Sequence, residues 1–313
     1  MRILLLLLLV SGLVVGQSDV PPSLRGTKIV YNVLFDKEKD DYEIFAMDPD
    51  GTNKRNISNW KGVDWVYASY KDKIYFVSDR DTSHRKYFLY EMDADGKNVR
   101  RISSFLVADS WIGVRNDGAE FVVASAKDHR RGEIYRIDRN GKELRRLTAD
   151  TLNDNDPIFS PDGRTVVFRS KRGTKYDELW MMDANGADLR RLTRYPEEDT
   201  TAFIHSYHAG PPFWEPNQNI ISYISNQRSR SGIYLIRPDG TGGRPFSADT
   251  SVNLGWHTWS PDGEYVVTEE SDPANTKFSI VLYTKEGRRV QQLTNEYRYE
   301  QGPVFVRTRH SGH

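Results

Sequence analysis

The residues with the clearest chemical potential are three histidines. An irregular stretch between Thr193 and Pro212 contains His205 and His208, and His257 begins a later apolar run. Imidazoles that converge on one point can ligate a divalent metal, here Mn or Ca, or act as a base beside it. The sequence therefore predicts His205, His208 and His257 as metal ligands, with His205 and His208 as the catalytic pair. The open alternative is a loop whose histidines are merely hydrogen-bonded, because H-x-x-H spacing alone fixes no metal geometry.

Cationic side chains form the second candidate set. The chain has 44 basic and 44 acidic residues, and this balance excludes a general affinity for nucleic acid, which depends on excess positive charge. Several loops are nevertheless rich in arginine and lysine, which favours the binding of carboxylates or sulfates, as on an anionic polysaccharide. The residues predicted to bind such a ligand are Arg80, Arg85, Arg130, Arg131, Lys171, Arg172 and Arg228. The open alternative is ordinary solvated charge on surface loops.

A repeated β unit has to position these residues. Residues 156–193 contain four short apolar or alternating runs, separated by turns rich in proline, aspartate and glycine, which predicts an antiparallel meander of four strands. Related glycine turns recur about 45 to 54 residues apart, a spacing typical of the blades of a β-propeller. The turn glycines are Gly51, Gly96, Gly141, Gly186, Gly240 and Gly287. The predicted fold class is all-β, a six-bladed β-propeller of four-stranded antiparallel blades.

The two ends of the chain complement each other. Residues 28–33 resemble a second blade strand that has no first strand before it, whereas residues 302–306 form an apolar run after the last repeat. We expect the C-terminal run to complete blade one, because closure removes the exposed edges of the sheets; a frayed tail is the alternative. The predicted organisation is a signal peptide at 1–16, a tether at 17–26, the propeller at 27–306 and a tail at 307–313.

The N-terminal residues indicate where the protein is sent. Arg2 is followed by an apolar stretch and then small residues, which is typical of a secretory signal cut near Gly16; an uncleaved membrane anchor is the alternative. The chain has no cysteine, which excludes a disulfide framework and attachment of a lipid at the signal. We expect a secreted or periplasmic monomer with no membrane span once the signal is removed.

The repeat itself resembles a known family. The sequences D-P-I-F-S-P-D-G at 156–163 and S-P-D-G at 260–263, with the six glycine turns, resemble the WD40-like (PD40) repeat of the TolB propeller family. This resemblance spans residues 27–306 and implies a propeller that acts as a binding scaffold for a protein or glycan partner, with no cofactor. The same repeat occurs in transport accessories, peptidase propellers and polysaccharide lyases. TolB carries an additional N-terminal α/β domain, for which only a short lead is present here.

A second resemblance concerns the histidine-bearing stretch. Residues 203–216 and the pair Trp256-His257 are similar to the metal-bearing loops of oligogalacturonate lyases, propellers of the same repeat type. This resemblance implies a manganese site, a basic cleft for uronates and a histidine that abstracts the C5 proton. The alternative function is therefore a metal-assisted lyase or hydrolase acting on an acidic sugar. We favour the scaffold, because the histidine set is smaller than in those enzymes.

Overall fold

The computed structural model describes residues 20–308, except for residues 129, 151, 203–205 and 228–229. Its strands form six separate sheets of four antiparallel strands each, which confirms the predicted number and type of blades. The only helices in the described residues are two single-turn 3₁₀ helices, Pro22–Leu24 and Asn116–Gly118. The predicted signal peptide, residues 1–16, lies outside the described residues.

In each of the first three blades, three further strands follow outward from the inner strand. Blade one consists of β24 (Glu300–Arg307), β1 (Thr27–Asp36), β2 (Asp41–Met47) and β3 (Arg55–Asn56). Blade two consists of β4 (Asp64–Tyr70), β5 (Lys73–Ser78), β6 (Phe88–Asp93) and β7 (Arg100–Arg101). Blade three consists of β8 (Gly113–Arg115), β9 (Glu120–Ser125), β10 (Glu133–Asp138) and β11 (Glu143–Arg146).

The other three blades follow the same plan. Blade four consists of β12 (Asn155–Phe159), β13 (Thr165–Ser170), β14 (Glu178–Asp183) and β15 (Arg190–Arg191). Blade five consists of β16 (Tyr207–Trp214), β17 (Ile221–Gln227), β18 (Arg230–Ile236) and β19 (Arg244–Pro245). Blade six consists of β20 (Asn253–Trp259), β21 (Tyr265–Ser271), β22 (Phe278–Thr284) and β23 (Arg289–Gln292).

The C-terminal strand closes the ring. In the antiparallel pairing of β24 with β1, Phe305 lies opposite Ile29 and Val304 lies opposite Val30. Strand β24 also contacts the inner strands of blades two and six. The predicted closure is therefore confirmed, and blade one is built from both ends of the chain.

The hydrophobic core lies in the seams between neighbouring blades. Successive side chains of a strand point to opposite faces of its sheet. Along β5, Ile74 and Phe76 pack against blade one, whereas Tyr75 and Val77 pack against blade three. Because both faces of a blade are covered, its middle strands are apolar on both sides, which explains the continuous apolar runs of the sequence.

The repeated turn glycine is required by these seams. Gly96 and Gly141 have φ angles of +85° and +77°, which favour glycine over every other residue. A Cβ atom at Gly141 would lie 2.1 Å from the carbonyl oxygen of Ile102 in the preceding blade, and one at Gly96 would lie 2.2 Å from that of Ile57. The glycine thus serves the turn and also lets the next blade approach closely.

Two buried carboxyl groups lie at the closing strand, Glu300 as its first residue and Glu269 beside Gly302. Burial raises the pKa of Glu269 from an ordinary 4.5 to about 8, and the backbone N–H groups of Trp256 and Gly302 only partly oppose this effect. Burial likewise raises the pKa of Glu300 to about 7. Both carboxyls therefore bind a proton more tightly in the folded protein than in the unfolded chain.

We predict that the protein loses stability between pH 6.5 and 8.5. A raised folded-state pKa contributes stability that is complete below the unfolded value and is lost as the pH rises through the folded value. For Glu269 the whole loss is about 5 kcal/mol, spread between the unfolded pKa of 4.5 and the folded pKa of about 8, and about 2 kcal/mol of it falls in this window. Burial lowers the pKa of His257 to about 3. Its imidazole is neutral in both the folded and the unfolded state throughout most of this pH range, so it adds little to the change of stability with pH. The measurement is urea unfolding at several pH values.

The matched variant for this prediction is Glu269→Gln, which keeps the shape of the side chain and removes its titration. At pH 5 we expect the variant and the wild type to be similarly stable, and at pH 8.5 we expect the variant to be more stable. A difference between the two proteins that does not change with pH would contradict the assignment of the proton to Glu269.

Candidate functional site

The upper mouth of the channel is the end at which the inner strands begin, near Asp64 and Asp154. Two of the predicted ligand-binding arginines reach inward there. Arg80 lies 2.5 Å from the fully buried carboxylate of Asp64, and Arg172 lies 2.6 Å from that of Asp154. Arg172 also pairs with Asp150 at 2.5 Å. These guanidinium groups neutralise buried carboxylates of their own blades.

The remaining predicted cations differ in environment. Arg85 donates from Nη2 to Asp40 Oδ1 at 2.6 Å, so it links blade two to blade one across a seam. Arg130, Arg131 and Lys171 are exposed, and Arg228 lies outside the described residues. The structure therefore does not gather the six described cations into one open basic surface, and the binding of an anion by the exposed ones stays a prediction.

The two described candidate histidines lie apart. The Nδ1 atom of His208 is 3.3 Å from Asp177, and the Nε2 atom of the fully buried His257 is 2.8 Å from the hydroxyl of Ser222. His208 pairs with Asn226, which is four residues from Ser222 along β17, or roughly 13 Å at the rise of a strand. One metal ion cannot contact both imidazoles at that separation.

The other parts of the metal prediction are not placed. His205 lies outside the described residues. In the part of the chain that the structure does describe, no group of three or more histidine, aspartate or glutamate side chains is arranged to hold a metal ion. The metal site at His205, His208 and His257, and the catalytic role of the first two, stay predictions without support from the described geometry.

An aromatic plug fills the middle of the channel. Its rings lie on or directly before the inner strands of four blades, 4.7 to 5.5 Å from their neighbours, centroid to centroid. The plug consists of Trp65, Tyr67, Trp111, Phe213 and Trp256. Tilted and edge-to-face contacts of this kind are favourable beyond the burial of area. Three members of the plug, Tyr67, Trp111 and Phe213, also line the adjacent cavity.

Below the plug the channel opens into the lower funnel, a cavity of about 420 Å³ at the ends of the inner strands. Aromatic side chains from all parts of the ring form its wall. They include Tyr70, Phe159, Phe213, Trp214, Trp259 and Phe305. Tyr70, Phe213, Trp214 and Trp259 are partly exposed to solvent, so their rings are available to a ligand. The lower funnel is therefore a concave site with exposed aromatic surface.

The wall of the lower funnel is held rigidly. The Ser69 hydroxyl donates to the carbonyl of Phe305, and the Thr258 hydroxyl donates to that of Pro303 at 3.1 Å. Both bonds tie the closing strand to its neighbours. The Arg115 guanidinium lies 4.5 Å above the ring of Phe159. The wall also carries polar groups, among them Arg115, Asn116 and Asp162. A preformed wall suits binding, because little ordering entropy remains to be lost.

Sequence reasoning missed the lower funnel and placed the candidate site at the upper loops. One signal was present: Phe159 and Trp259 each stand directly before Ser-Pro-Asp-Gly. An aromatic residue at the same strand end of different blades must face the same end of the channel. The turns of the repeat, on which the prediction was based, do not reveal this shared position of the aromatic residues.

Comparison with known proteins gives a family match and several similar folds. The family model described as the TolB beta propeller domain matches residues 22–208. A search among curated proteins finds no match. The part of the chain that the structure describes contains no apolar helix of membrane-spanning length.

Solved structures with the same fold share little sequence with the chain. TolB from Acinetobacter baumannii superposes with a TM-score of 0.71 at 17% identity, covering 92% of this chain and 68% of that one. A putative TolB from Agrobacterium tumefaciens gives 0.64 at 17%, covering 88% and 90%. An oligogalacturonate lyase in complex with manganese gives 0.56 at 14%, covering 86% and 74%. At these identities the likeness concerns the fold alone.

Proposed function

Because the chain belongs to the TolB beta-propeller family, we propose that it is a secreted or periplasmic binding scaffold for a partner protein. The observation that carries this proposal is the lower funnel, an open cavity of about 420 Å³ with partly exposed aromatic walls. Aromatic side chains around a central pocket are typical of the residues that dominate binding energy in protein interfaces.

A protein segment fits the funnel better than a glycan does. The rings surround the cavity on several sides, and the aromatic plug closes its base. An apolar side chain inserted end-on would therefore be enclosed, and burying one contributes about 1.5 to 3 kcal/mol. No observation in the described residues favours the lyase, since His208 and His257, the two candidate histidines that are described, lie apart.

Peptide selection tests the scaffold. We expect a displayed peptide library, selected on the full secreted protein, to yield peptides with a shared apolar or aromatic anchor. Ala68, which is partly exposed in the funnel wall, is the residue to enlarge: Ala68→Trp fills the cavity and should weaken the selected peptides at least about tenfold. Trp214→Ala removes part of the wall and should also weaken them.

Three controls complete the experiment. Lys171→Ala alters an exposed residue of the upper loops and should leave binding unchanged. Circular dichroism checks that each variant is folded. If no peptide is selected, or if the selected peptides bind Ala68→Trp as tightly as the wild type, a role for the funnel in protein binding is refuted. Ultraviolet absorbance of an unsaturated product from polygalacturonate and manganese would instead support the lyase.

A further inference from the structure

In three consecutive blades, a cation from the loop after the second strand lies over an aromatic ring of the third strand. The pairs, with the distance from cation to ring centroid, are Arg80 over Tyr90 at 5.3 Å, Lys127 over Tyr135 at 4.6 Å and Arg172 over Trp180 at 5.9 Å. Contacts of this geometry are attractive because the face of the ring is electron-rich. In each of these three blades, the space over the ring is thus occupied by a cationic side chain of the same blade.

Blade five lacks this cation. In blades two, three and four, the third-strand residue two positions before the ring lies opposite a serine of the second strand. The cation stands two residues after that serine. The three serines are Ser78, Ser125 and Ser170. In blade five, Ser225 lies opposite Gly232, which is two residues before Tyr234. The equivalent of the cation is therefore Gln227. Its Nε2 donates to the Ser225 hydroxyl at 3.4 Å, as Arg80 Nε donates to Ser78 at 3.0 Å.

The carboxylate partner of the cation is also missing from blade five. In blade two, Asp64 pairs with Arg80 and lies opposite Ser78 in the strand register. In blade five, Ala209 lies opposite Ser225. Both members of the buried ion pair are thus replaced by uncharged residues, while the aromatic ring remains.

A cavity of about 490 Å³ is found where this cation would lie, and we call it the blade-five cavity. Tyr223 and Tyr234 lie opposite each other in its wall, with ring centroids 6.2 Å apart. They are 4% and 9% exposed, and neither hydroxyl has a hydrogen-bond partner among the described residues. Gln227 also lines the cavity, together with residues at both ends of the long loop that the sequence singled out.

We propose that the blade-five cavity binds an organic cation, the guanidinium or ammonium group of another molecule, over Tyr234 and Tyr223. The ring pair occupies the register position that seats a cation in blades two and four. Its phenol oxygens and the side-chain oxygen of Gln227 can accept hydrogen bonds from that cation. Three exposed charged residues also line the cavity, the negative Asp239 and the positive Arg194 and Arg244. Arg191, which also lines the cavity, is neutralised by Glu178 at 2.6 Å and by Glu197 at 3.0 Å.

Agmatine, a small guanidinium compound, is the probe. We expect it to bind saturably at low salt and to shift the NMR signals of the two labelled tyrosines. Gln227→Arg supplies the missing cation from within the chain, so it should abolish binding while the melting temperature stays the same or rises. Tyr234→Leu removes the ring and should weaken binding at least about tenfold, whereas Tyr234→Phe keeps the ring and should weaken it no more than about threefold.

Two further ligands distinguish the source of the cation. Tighter binding by the blocked peptide acetyl-Gly-Arg-Gly-amide than by agmatine would indicate an arginine of a partner protein, and equal binding would indicate a small molecule. Sodium acetate tests whether the cavity binds an anion instead, because two further cationic residues, Arg194 and Arg244, also line it. The proposal is overturned if neither agmatine nor the peptide binds, if Gln227→Arg binds as the wild type does, or if acetate replaces agmatine as the ligand.

Discussion

Removal of the closing strand is expected to abolish the folded state. A chain that ends at residue 299 lacks all of β24, whose side chains at Val304, Phe305 and Val306 are at most 4% exposed. Burying three such side chains contributes roughly 5 to 9 kcal/mol, which approaches the whole stability of an ordinary domain. The deletion also exposes β1 as a long edge strand, which promotes aggregation. Circular dichroism and sedimentation would detect the loss.

The matched control is a chain that ends at Thr308, which keeps β24 and removes only the residues after it. This protein should unfold in urea at the same midpoint as the full chain. A chain ending at residue 299 that stays monomeric and unfolds cooperatively near the wild-type midpoint would refute the importance of ring closure. Such a result would mean that five complete blades and a partial one suffice.

Gly141→Ala is expected to be the most destabilising single substitution among the turn glycines. The new Cβ would lie 2.1 Å from the carbonyl oxygen of Ile102 and 2.8 Å from the amide nitrogen of Ser104, both of which are backbone atoms. The backbone of blade two cannot move away without opening the seam. A positive φ costs an L-residue about 1 to 2 kcal/mol, and overpacking adds about 1 to 3 kcal/mol. Urea unfolding should therefore show a loss of several kcal/mol.

Gly173→Ala separates the two causes of that loss. Gly173 also has a positive φ, +64°, but no atom lies within 4 Å of its would-be Cβ. This variant should lose only the backbone contribution, about 1 kcal/mol. Equal losses in the two variants would show that turn conformation alone, and not contact between blades, explains the repeated glycine.

The candidate cations show where sequence reasoning fails. The sequence predicts that Arg80 and Arg172 bind an anionic ligand, and in the structure each pairs with a buried carboxylate. Their partners, Asp64 and Asp154, stand 16 and 18 residues earlier in the chain, at the starts of inner strands. Nothing in the local pattern distinguishes an arginine that pairs with a buried carboxylate from one that faces solvent.

The separation of His208 and His257 has a related reason. His208 and His257 belong to inner strands of adjacent blades, so the topology brings their strands together. Their depth along the channel differs, however, because His257 lies beside Ser222 and His208 beside Asn226 on the same strand. Depth depends on the register of each strand, and a bulge in both β16 and β20 changes that register. The sequence does not reveal the bulges.

The number of blades, their four strands and the closure by the C-terminal run can all be predicted from the amino-acid sequence. These features depend on local signals, alternating apolar residues and turn glycines, and six repetitions made the signals unambiguous. The neutralised charges, the packed rings of the channel and the remaining cavities become visible only in the folded protein. Those outcomes depend on contacts between residues of different strands and blades, and a difference of one residue in register reverses the face on which a side chain lies.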